Sequence, residues 1–177
     1  WAEHQCSTAP ATCENLCIII LLPQAFSLPS PLEYFRTLVQ EDDGLPLLEA
    51  AASLAQDVTP ELDLHLVTDE MDLLAAKLTR RIPADAPALQ KLLALNHFFY
   101  RELNFTGNIN NDYDPQNSFI HAVLRTRRGI PISLAVIWLD LAERAGLSAH
   151  GVSFPGHFMI KVGLPQGQVI LDPMTGQ

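Results

Sequence analysis

From Ser30 to Gln177 the chain contains no cysteine. That stretch therefore cannot be a disulfide-stapled scaffold, a thiolate metal site or a thiol enzyme. All three cysteines, Cys6, Cys13 and Cys17, fall in the first 29 residues, with His4 nearby. Their spacing fits no compact zinc pattern, and elsewhere the six histidines form no HExxH pair, so no metal and no cofactor is expected. Positive charge is also scarce: 11 Lys and Arg stand against 20 Asp and Glu, a net charge of -9. A general nucleic-acid binder needs a basic face, so that class is set aside. The local cluster Arg125, Arg127 and Arg128 reads as a solvated helix end, with an anion site as its alternative.

A long apolar run is missing too. Leu16–Leu22 is too short for a bilayer, which needs about 20 residues, and no membrane association is expected. As a signal-peptide core this run lacks its basic flank, because residues 1–30 hold neither Lys nor Arg. Residues 1–29 are read as an uncertain leader or extension, and 30–177 as one domain that stops before further C-terminal sequence. A cytoplasmic location is expected from the cysteine-free body.

What is present is apolar material at helical spacing. The 48% hydrophobic content and mean hydropathy of +0.13 support a packed core. Ser30-Pro31-Leu32-Glu33 has the form of a capping box, opening a helix that the acidic break at Glu41–Gly44 ends. A second helix is predicted from Leu45 to about Gln56, and a third from a Thr68 cap to about Arg81. Asp85 and Pro87 open a fourth, whose stripe Leu89, Leu92, Leu93, Asn96, Phe99 and Tyr100 reads as core, with His97 a surface or hydrogen-bond-satisfied histidine. The Asn- and Gly-rich stretch Asn104–Tyr113 predicts a loop, and Asp114-Pro115 a short helix reaching Arg125. Gly129-Ile130-Pro131 breaks the chain before a strongly apolar helix that ends at Ala145-Gly146. Beyond it, alternation at Val152–Phe154 and Phe158–Val162, a turn at Pro165–Gly167 and the run Val169–Leu171 predict antiparallel strands. Helices first and strands last make the fold class α+β.

Three residues at these junctions could carry chemistry. Ser133 would sit in the first turn of the apolar helix, where free N–H groups and the dipole favour an anion. Taken alone, it reads more simply as a serine that bonds the helix start. His157 opens a strand and has the pKa range of a general base, and Asp172 ends the next strand where it could orient the imidazole. In that order, nucleophile on a helix, histidine on a strand and carboxylate on the next, they could form a catalytic framework.

The segments Asp114–Ser118, Arg128–Leu134, Phe154–Phe158 and Leu171–Gly176 together resemble the bacterial SirB-type transglutaminase-like family. The resemblance covers about Pro31 to Gly176. It implies a papain-like transglutaminase core with a small antiparallel sheet, usually followed by tetratricopeptide repeats that serve protein partners. By resemblance, Ser133 occupies the cysteine position, His157 the histidine and Asp172 the aspartate, with Asn117 as possible oxyanion support. A hydroxyl is much harder to ionise than a thiol, so two functions stand open. One is a non-catalytic module binding a protein or peptide partner. The other is a Ser-His-Asp enzyme transferring or hydrolysing amides or esters.

Overall fold

The computed structural model describes residues 29–40, 44–109, 111 and 113–177. The cysteine cluster and most of the acidic break lie outside these residues. Among the described residues, six α-helices precede a three-stranded antiparallel sheet, confirming the α+β class.

Helix α1, Pro31–Leu38, opens with the expected capping box: the Ser30 hydroxyl accepts from the Glu33 N–H, and the Glu33 carboxylate accepts from the Ser30 N–H. Helix α2 is shorter than predicted, Leu47–Ser53, and tightens into a 3₁₀ turn over Leu54–Asp57. Helix α3, Leu64–Thr79, starts one turn before Thr68, because Asp63 caps it by accepting from the His65 N–H. Thr68 instead returns its hydroxyl to the His65 carbonyl inside the helix. Helix α4, Ala88–Asn96, runs into a π-helical turn at His97–Glu102. The wider turn carries Phe98 and Phe99 into the core, and Phe99 stacks on Phe105 with centroids 4.3 Å apart. His97 is exposed, as predicted, beside Glu102.

The predicted loop at 104–113 contains a strand. β1, Thr106–Gly107, pairs in parallel with β2, Arg128–Gly129. Two residues are too few to show alternation, which is why the sequence pattern hides them. The helix predicted from Asp114 is split: a 3₁₀ turn at Pro115–Ser118 is followed, after an extended Phe119, by α5, Ile120–Thr126. Arg127 caps α5 in the left-handed region at φ 59°.

Helix α6, Pro131–Arg144, is the centre of the molecule. Leu134, Ala135, Ile137, Trp138, Leu141 and Ala142 are all fully buried. Trp138 donates its indole N–H to Asn96 at 3.0 Å, satisfying the one polar atom that its burial would strand. Gly146, at φ +72°, stops the helix, and the chain turns back as β3, Ala149–Phe154. β4, His157–Leu164, pairs with β3, and β5, Gly167–Leu171, pairs with β4, in the order β3-β4-β5. Ile160, Val162 and Leu171 point to α6 and are buried. Since side chains alternate, the opposite face carries His157, Met159 and Lys161.

Candidate functional site

The candidate site is built at the first turn of α6. Pro131 fixes the backbone of the first helical position and holds Ile130 extended, at φ -85° and ψ 164°. Ile130 has no side-chain oxygen to cap the helix. No acceptor among the described residues takes the Ile132 or Ser133 N–H, leaving two free donors at the positive end of the dipole.

Ser133, at the third helical position, is 2% exposed. Its hydroxyl lies 2.6 Å from the Asn117 carbonyl and 3.1 Å from the Ile130 carbonyl. A hydroxyl has one proton, so it is committed to this pair of main-chain acceptors, Asn117 being the nearer. The space around it is fixed by Gly129: a β-carbon there would stand 2.7 Å from the Ser133 oxygen and 3.1 Å from the Val123 methyls. Glycine is required at 129 for that reason rather than for a turn.

Asn117 is 3% exposed, and both ends of its side-chain amide are hydrogen-bonded. Its side-chain oxygen accepts from the Asn108 amide at 2.9 Å, and its side-chain nitrogen donates to the Asn111 carbonyl at 2.7 Å. Its main-chain carbonyl also accepts from the Ile130 N–H at 3.2 Å. Asn117 is thus the hub that ties the 104–113 loop to the start of α6. One of the two N–H donors of the Asn117 side chain is taken up by the Asn111 carbonyl. Asn108 was not singled out by the sequence, being one asparagine among several in a polar loop.

His157 follows a tight Pro155-Gly156 turn in which Gly156 takes φ +76°. It is exposed and faces Phe154 across the β3–β4 hairpin. Asp172 directly follows Leu171, the last residue of β5, whose partner on β4 is Ile160. Its carboxylate accepts from the Met174 N–H at 2.8 Å, and its carbonyl accepts from the Gly176 N–H at 2.8 Å. Tyr100 clamps this turn by donating its hydroxyl to the Pro173 carbonyl at 3.2 Å. Burial, with the Asp172 charge as a lesser cause, pushes the Tyr100 phenol well above its ordinary range. The sequence pattern marks Tyr100 as core only; nothing in it signals the hydroxyl's reach to Pro173.

The three residues thus stand at the start of α6 (Ser133), at the start of β4 (His157) and just after β5 (Asp172). Among the described residues no hydrogen bond joins any two of the three. The arginine cluster is divided as well. Arg127 turns inward to pair with Glu70 at 3.1 Å and lies over the Phe105 ring at 4.7 Å, while Arg125 and Arg128 stay exposed.

Residues 65–177 match the Transglutaminase-like superfamily, and the chain belongs to that superfamily. It is 35% identical over 136 residues to a UPF0162 protein of Xylella fastidiosa, covering 77% of this chain and 48% of that protein. A UPF0162 protein of Vibrio cholerae is 30% identical over 142 residues, covering 79% and 53%. The human F-box only protein 21 is 32% identical over 146 residues, covering 70% of this chain and 23% of its own length. The chain spans about half the length of the bacterial relatives it matches. No solved structure matches it. Among the described residues, no helix is long and apolar enough to cross a membrane.

Proposed function

We propose that this transglutaminase-like domain is a non-catalytic module that binds a protein or peptide partner. The observation that carries this is the Ser133 hydroxyl: buried, and given to the Asn117 carbonyl at 2.6 Å rather than to a base. A serine nucleophile must pass its proton to an imidazole in the transition state. Here that proton already holds the helix start against the 3₁₀ turn. Asp172 is likewise engaged with the Met174 N–H, so its carboxylate organises a turn. The SirB-type resemblance, with its repeats beyond the core, its placement of Ser133 at a cysteine position and its cytoplasmic, bacterial setting, fits a partner-binding role.

One observation favours the alternative of Ser-His-Asp acyl transfer: the free N–H groups of Ile132 and Ser133 would suit an oxyanion. Intact-mass labelling with a fluorophosphonate probe separates the two. The binding-module role predicts no adduct on folded wild-type chain. A stoichiometric adduct lost in both Ser133→Ala and His157→Ala would establish the enzyme instead.

A further inference from the structure

The register of the sheet fixes which backbone groups of β3 are used. The Gly163 N–H donates to the Ser148 carbonyl at 2.8 Å, which makes 148 and 163 a hydrogen-bonded pair. Counting on by two, His150, Val152 and Phe154 also bond inward to β4, opposite Lys161, Met159 and His157. Ala149, Gly151 and Ser153 then direct their N–H and C=O groups outward, away from the sheet. β3 is an edge strand, and no backbone partner among the described residues takes these outward groups. The strand Ala-His-Gly-Val-Ser-Phe contains no lysine, proline or acidic residue, none of the usual devices that discourage strand addition.

This open edge forms one wall of a cavity of about 720 Å³. Its opposite wall is the approach to α2, where Leu45 and Leu47 are 37% and 39% exposed. Its floor is the outer side of α6, with Val136 and Leu139. The rim is acidic: Glu49 and Glu143 line it, and Asp140 lies within it. Its one guanidinium, Arg144, is held by Asp140 and Asp72, so it leaves no free cation toward the groove. The groove follows α6 from Val136 to Arg144, roughly 5–17 Å along the helix from Ser133 at ~1.5 Å per residue.

We propose that this groove takes an extended peptide segment of a partner protein as an added strand on β3, with basic side chains meeting the rim and apolar ones meeting the floor. Strand addition supplies main-chain hydrogen bonds at Ala149, Gly151 and Ser153, and alternation supplies the two-sided chemistry. A second copy of this chain is disfavoured as the occupant, since pairing two β3 edges would bring two acidic rims of a chain of net charge -9 together. The groove rests on the binding-module role and names the chemistry of its partner.

The test uses a capped peptide of alternating lysine and valine, about seven residues long, to match one strand. Its counterpart of alternating glutamate and valine is the control. By fluorescence anisotropy the basic peptide binds saturably and the acidic one does not. On binding, amide exchange slows at Ala149, Gly151 and Ser153. Glu143→Lys weakens binding by about tenfold. Ala149→Pro, which deletes an outward N–H without changing charge, weakens it comparably, and Ser153→Pro repeats the test at an exposed position should Ala149→Pro disturb the fold. Undiminished binding to both folded proline variants overturns the proposal, as does absence of binding, or a dimer whose β3 amides are protected without peptide. A chain that fails to bind the peptide yet resists fluorophosphonate remains a binding module with its surface elsewhere. Fluorophosphonate labelling of Ser133 removes that role whatever the peptide does.

Discussion

Ser133, Asn117 and the half-buried Asn108 form a polar knot at the start of α6, and each is held by specific partners. Removing the Ser133 hydroxyl leaves the Asn117 carbonyl one remaining donor, the Ile130 N–H. Ser133→Ala is therefore expected to cost about 1 kcal/mol, read as a shift in urea midpoint at unchanged slope. Asn117→Ala strips partners from both Asn108 and Asn111, and should cost more, about 1–3 kcal/mol. Gly129→Ala has no room, with the Ser133 oxygen 2.7 Å from the new carbon, and overpacking of this kind costs about 1–3 kcal/mol. If Gly129→Ala is as stable as wild type, the close packing of that first turn is wrong.

At the scale of elements, the turn after β5 is the piece that fastens the sheet to the helical half. Tyr100 donates to the Pro173 carbonyl, Thr106 to the Met174 carbonyl, and Gly176 turns at φ +75° with the Tyr100 ring 2.5 Å from where a β-carbon would be. Gly176→Ala meets both backbone strain and that ring, so a loss of about 1–3 kcal/mol is expected by thermal or urea unfolding. The elements themselves were legible where the chain is long and periodic. The capping box at Ser30, the proline start and glycine stop of α6, and the three late strands all follow from residues that act locally. Where the structure departs from the sequence pattern, tertiary contacts decided. Thr68 has the chemistry of a cap, but Asp63 stands one turn earlier and has an acidic oxygen free for the His65 N–H. The helix expected after Asp114 breaks at Phe119, because the Asn117 carbonyl is drawn to Ile130 and Ser133. The residues of the candidate site were legible as positions, on α6, β4 and after β5. Their contacts were not, since hydrogen bonds between residues 117 and 133 leave no periodic trace.

For the molecule as a whole, Tyr100 links stability to alkaline pH. Its folded-state pKa is raised above the ordinary value of about 10, so the folded chain holds the proton where the unfolded chain releases it. The contribution is fully present below pH about 10 and is lost as pH rises beyond it, at about 1.4 kcal/mol per pH unit for one such group. Stability measured by urea unfolding should fall above pH 10, and the fall should be shallower in Tyr100→Phe. An equal slope in that variant would mean that the phenol is not buried in the folded chain. At this same scale the superfamily supplies the architecture, while the function turns on how one helix start is wired.

That wiring is tested most directly by installing a thiol. In Ser133→Cys, alkylation by iodoacetamide is followed across pH 5 to 9, with the modified residue located by peptide mass so that Cys6, Cys13 and Cys17 are scored separately. A buried side chain given to main-chain carbonyls predicts alkylation at position 133 far slower than at an exposed thiol, with no rise near neutral pH and no change in His157→Ala. Rapid alkylation at position 133 below pH 7 that is lost in His157→Ala would show a thiolate paired with an imidazole, and would contradict the account.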